Sequence, residues 1–163
     1  MSPLDMPIPD PSVELLRHTV ATVAYRAGKA VRGAPPEFAA YEGAGRTPVN
    51  ILAHMGDLFD WALCLADGRH EWHNAKPLPW DQEVARFFAV LEAFDRRLAS
   101  GAPLGHPAQA LFQGPVADAL THTGQIAMLR RLAGCPMKGE NYFKANITAG
   151  VVGMDQSAPR VEF

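Results

Sequence analysis

Three side chains in "VADALTHTGQIAML" (residues 116–129) have types and spacing suited to chemistry: Asp118, His122 and Gln125. Steps of four and three residues put them on one stripe of a helix. A second stretch, "NILAHMGDLFDWAL", carries His54 among Ile51, Leu52, Met55, Leu58 and Trp61, a setting that turns the imidazole inward. Trp61, seven residues further on, shares its face. Two inward imidazoles and one carboxylate from two helices make a ligand set for zinc, nickel, iron or manganese. Three protein ligands leave a position open for water or substrate, the pattern of a catalytic site. The plainer account of the same residues is a hydrogen-bonded core histidine beside an Asp118–His122 ion pair. A carboxylate buried without a partner costs several kcal/mol, and either a divalent cation or a protonated His122 offsets that cost.

The elements that must position these groups are punctuated clearly. The first helix starts at Asp10 as cap with Pro11 in its first turn and runs to about Val31. The second starts at Thr47 and Pro48 and closes near Asp67, where Gly68 takes the left-handed conformation. Asp81 caps the third, Glu83 follows in its first turn, and it ends near Ser100–Gly101. The fourth starts at Pro115 and ends at "RRLAGCP", with Arg130 and Arg131 in the last turn and Gly134 as carboxyl-terminal cap. Val84, Phe87, Phe88, Leu91, Phe94 and Leu98 recur at helical spacing, as do Leu120, Ile126, Leu129 and Leu132. Residues 32–46, 68–80 and 101–114 read as connections, long for a simple bundle. The segment from about 135 to 163 is too rich in glycine and proline for a long helix. It reads as an ordered tail lying over the helices with a frayed final stretch. The fold class is therefore all-α: one domain, an antiparallel four-helix bundle with a non-helical tail.

The pair "ILAHMGDL" and "THTGQIAMLRRLAG" resembles the DinB/YfiT-like superfamily of four-helix proteins. In that family a histidine midway along the second helix joins two from an H-x-x-x-H-R-G-Q stretch. His54, His122, Gly124 and Gln125 match it, and "GENYFKANITAG" resembles the tail of one bacterial subgroup. Asp118 stands where the family has its first histidine of the pair, and Thr123 where it has arginine. The resemblance implies one divalent metal held by His54, Asp118 and His122, nickel or zinc first, iron or manganese as alternatives. It also implies a thiol-dependent transferase or isomerase. A low-molecular-weight thiol would become a thiolate at the metal and attack a small electrophile. Hydrolysis by metal-bound water is the alternative, and a metal-free binding or dimerisation module is the reading from another class. No general base is identifiable, so the catalytic residues stay unassigned.

The remaining residues carry weaker signals. Asp57 could orient His54 from behind, but a partly exposed helix acid is the plainer reading. His70 and His73 in "GRHEWH" miss H-E-x-x-H by one residue and read as a solvated loop, with Trp72 available to line a pocket mouth. Cys64 is rotated about 80° from His54 on its helix and reads as a small core residue. Gly124 reads as a point of close helix approach. Tyr142, Lys144 and Asn146 alternate, so an extended tail would turn them to one side, where Tyr142 could meet a substrate. Net charge of −2 gives no basic stripe for nucleic acid. No run is apolar enough to span a membrane. The start of the chain lacks a secretory pattern. With two cysteines in helical settings, a reducing cytoplasm is expected. No G-x-S-x-G elbow or phosphate-binding glycine loop occurs. The sequence does not fix the oligomeric state, although a homodimer is common for such bundles.

Overall fold

The computed structural model describes residues 8–43 and 45–163; the start of the chain, where a secretory pattern would stand, lies largely outside them. Among the described residues the regular structure is all helical, without a strand. Helix α1 spans Pro11–Val31, α2 Pro48–Ala66, α3 Trp80–Ala99, α4 Ala108–Leu111 and α5 Ala117–Leu132. Short 3-10 turns cover Pro36–Ala40 and Tyr142–Lys144.

Local chemistry explains the boundaries. The Asp10 carboxylate accepts from the Ser12 amide at 2.9 Å, and Thr47 Oγ1 accepts from the Asn50 amide. Gly68 stops α2 at φ 79°, a conformation that strains residues with a Cβ. Helix α3 begins two residues earlier than its sequence suggests, with Pro79 and not Asp81 at the cap. Trp80 is buried edge-on against Phe38, and Glu83 accepts from the Leu78 amide just ahead of the cap at 2.8 Å. Asp81 therefore lies in the first turn, not at the cap. The last long helix also starts early. Turn-forming Pro107 precedes α4, and a π-helical turn over Phe112–Val116 joins α4 to α5. Pro115 has no amide proton for a regular helical bond, and the wider π turn accommodates it. Residues 108–114, read as a loop from their sequence, are thus helical.

The core gathers side chains from every long helix around Phe59, Phe87 and Phe94, all fully buried. All six apolar positions marked on α3 are buried. On α5 Ile126 and Leu129 are buried, whereas Leu132, in the last turn, is 59% exposed.

Side-chain pairings give the helix directions. Asp57 meets Arg86 and Asp67 meets Arg97, so α2 and α3 advance the same way. Arg17 meets Asp95 while Gly28 faces Phe88, so α1 and α3 run oppositely. Thr19 and Leu16 lie near Phe112, and Arg130 caps the end of α1 through the Ala30 and Arg32 carbonyls. Thus α1 and α5 also run alongside each other in parallel. Neighbours are therefore not all antiparallel. Joining parallel α2 and α3 requires residues 67–79 to return along the length of α2, which is the reason for that connection's length.

The tail lies against α1 and α3, with Val152 buried in the core. Its end is tied down. Asn141 donates to the Val161 carbonyl, Phe163 donates to Gly139, and Lys29 holds both Glu140 and Glu162. The expected fraying of the last residues is not seen among these bonds.

Candidate metal centre

Helix α2 presents His54 and α5 presents Asp118 and His122 to the same point, with one donor atom from each within 4.8 Å of the others. Asp118 Oδ2 is 3.6 Å from His54 Nε2, and its Oδ1 is 3.5 Å from His122 Nε2. Both distances exceed the 2.7–2.9 Å typical of charge-assisted hydrogen bonds. Each is close to the edge of about 3.4 Å between ligands of a tetrahedral ion with bonds near 2.1 Å, with the two histidines facing different oxygens of the carboxylate. The two imidazoles stand edge to face, 4.7 Å between centroids. His122 is 12% exposed, His54 26% and Asp118 47%, so the histidines form the floor and the carboxylate the rim.

Gln125 has a definite place in this geometry. Its Oε1 lies 2.7 Å from His122 Nδ1. That carbonyl accepts the Nδ1 proton, leaving the lone pair on Nε2, the nitrogen that faces Asp118. Burial above all, then the neighbouring His122 and Arg46, pushes the His54 imidazole below its ordinary value of 6.5, against the opposing pull of Asp118. A neutral imidazole is the form that ligates a metal. Arg46, in the connection before α2, is a contributor that spacing along the helices could not reveal.

The returning 67–79 connection roofs one side. Trp72 lies 5.6 Å from the His54 ring and 5.8 Å from Trp61, and His70 lies 5.8 Å from Trp61. Trp72 thus packs beside the His54 ring and stays 39% exposed. Trp61 shares the His54 side of α2, and its indole Nε1 is buried with no hydrogen-bond partner among the described residues. Gly114, in the π turn, faces the six-membered ring of this indole.

Several sequence expectations are corrected. Asp57 neither orients His54 nor lies partly exposed. It is 4% exposed, and its carboxylate accepts from Arg86 and from the Ala75 amide, groups far along the chain. Tyr142 does not join the site. Its segment is a 3-10 turn, not an extended strand, and its ring lies under Arg26, 4.2 Å from the guanidinium carbon, with Tyr25 at its edge. Tyr142, Lys144 and Asn146 accordingly do not share an extended side. A Cβ on Gly124 would meet open space, so no close helix approach explains that glycine. Thr123 is buried and bonds back to the Ala119 carbonyl. Cys64 is a buried free thiol, and Cys135 is free as well.

No helix among the described residues is long and apolar enough to cross a membrane. No family model matches the chain, and no curated protein or solved structure matches it.

Proposed function

We propose that the chain is a divalent-metal-dependent enzyme of the DinB/YfiT-like type, a four-helix bundle with a long α2–α3 crossover. In this reading it transfers a small thiol to an electrophile or uses one in an isomerisation. The observation that carries it is the spacing of His54, Asp118 and His122: too wide for hydrogen bonds and right for ligands of one ion. Two neutral imidazoles and one carboxylate bring a single negative charge, so a bound divalent ion keeps a net positive charge. Such an ion supplies Lewis acidity that favours a thiolate over a thiol. Nickel and zinc suit these donors best, with iron and manganese as alternatives.

The chain's own groups divide the remaining work. Gln125 holds His122 in the ligating tautomer. Trp72 and Trp61 exclude water from one side. The Trp61 N–H is a donor without an acceptor among the described residues, and a substrate oxygen or sulfur would satisfy it. Arg46 adds positive potential that favours an anionic reactant.

The test is a thermal-shift series with nickel and zinc, followed by thiol-transfer assays with the stabilising metal. Wild type should gain stability with metal concentration, by about 2.7 kcal/mol at a hundred times the dissociation constant. His54→Ala should lose the share of that gain that comes from this centre, together with any thiol-dependent turnover. Metal-independent melting of wild type would leave Asp118 and the histidines as an internal ion pair and remove the enzyme reading.

A further inference from the structure

A second group of ligand atoms lies elsewhere on α2, apart from the His54 centre. Asp60 and Cys64 occupy successive turns, and His73 comes to them from the returning connection. One donor atom from each lies within 4.8 Å of the others. His73 Nδ1 already touches Asp60 Oδ2 at 2.7 Å, so ring and carboxylate are brought together without an ion. The Cys64 thiol, 5% exposed, is the third donor.

We propose that Asp60, Cys64 and His73 bind a divalent ion of thiolate-preferring type, such as zinc, which fastens the 67–79 connection to α2. The charge balance fits. A thiolate and a carboxylate neutralise a divalent cation, whereas the His54 site leaves a net positive charge. The first arrangement suits a fastening and the second a Lewis acid. On binding, the Cys64 sulfur gives its proton to solvent and forms a sulfur–metal bond, without change of oxidation state. Burial pushes the free Cys64 thiol up, so the metal-free site holds a protonated sulfur. Asp60 and His73 part slightly as the ion replaces the Nδ1 proton between them, which passes to solvent while the ring carries its proton on Nε2. Glu71 Oε2 lies 3.8 Å from the other ring nitrogen of His73, too far for a hydrogen bond, and adds negative potential beside the ring. Asp60 and His73 open to solvent, so the fourth position takes water.

The consequence reaches the first site. Trp72 immediately precedes His73 and packs over both His54 and Trp61. An ion joining His73 to α2 holds Trp72 in that position. The proposal itself does not depend on the function assigned to His54, Asp118 and His122.

Cobalt(II) titration of the full chain under reducing conditions tests it, because cobalt–thiolate bonds give a near-ultraviolet charge-transfer absorption that imidazole and carboxylate ligands lack. Wild type, His54→Ala and Cys135→Ser should all develop this absorption. Cys64→Ser should not. His73→Ala, altered on the exposed connection and expected to fold normally, should need at least about tenfold more cobalt. Absence of the band in wild type, its persistence in Cys64→Ser, its loss in His54→Ala, or indifference to His73→Ala would each overturn the proposal.

Discussion

Gln125→Leu isolates one hydrogen bond in the proposed metal centre. The Gln125 carbonyl accepts from His122 Nδ1 at 2.7 Å, at the short end for such bonds. His122 is 12% exposed, so the ring cannot swing freely to another partner. Removing the acceptor frees the proton to occupy either nitrogen, and Nε2 no longer always offers a lone pair. Loss of such an outer partner costs about 10–100-fold in metal affinity, or about 1.4–2.7 kcal/mol. Gln125 is itself exposed. Water can therefore replace part of what the amide provided, which places the effect toward the tenfold end. Gln125→Glu keeps an acceptor and makes it anionic, so affinity should rise. Zinc or nickel competition against a colorimetric chelator, above pH 6.5, measures both. Metal-free stability should change by no more than about 0.5 kcal/mol, as for other surface substitutions. An affinity for Gln125→Leu within about twofold of wild type would refute the role given to the amide.

Three further outcomes concern His54, the tail and Trp61. Burial lowers the His54 proton affinity, so the unfolded chain protonates this residue first as pH falls. Its contribution to metal-free stability is whole above pH 6.5 and is lost below it, through the window down to the folded-state value. His73 behaves oppositely because the Asp60 hydrogen bond favours its charged form, so denaturant titrations of wild type and His54→Ala must be subtracted; a difference independent of pH would contradict the assignment. Lys29→Met should cost about 3–5 kcal/mol, because Glu140 keeps a fully buried carboxylate that loses its cation, and the tail should become protease-sensitive. A melting temperature within about 2 °C of wild type would show that this network holds little. Trp61→Phe removes a donor without a partner and should leave metal-free stability nearly unchanged while weakening substrate binding; a large loss of stability would mean the indole N–H is bonded within the protein.

Features set by neighbours along the chain are legible in the sequence. Asp10 with Pro11, and Thr47 with Pro48, act within one turn of themselves, and the apolar positions of α3 need only their own period. The grouping of Asp118, His122 and Gln125 is readable for the same reason. What escapes depends on distant partners. Pro115 looks like the first residue of a helix whether it begins one or sits in a π turn, and only packing against α1 and Trp61 separates the two. Nothing near Asp57 announces Arg86, twenty-nine residues away, or the Ala75 amide. The length of the 68–80 connection hints at a crossover, but parallel α2 and α3 are fixed by the Asp57–Arg86 and Asp67–Arg97 pairs. His73 reads as solvated because its partners, Asp60 and Cys64, belong to a helix that the connection revisits.

The most direct measurement is the metal content of untagged protein purified without chelator, wild type beside the His54→Ala/His122→Ala double variant. Taking the difference isolates this centre from any ion held by Asp60, Cys64 and His73. The account predicts that wild type carries one more equivalent of nickel, zinc, iron or manganese per chain than the double variant. Equal metal content in the two proteins would contradict it.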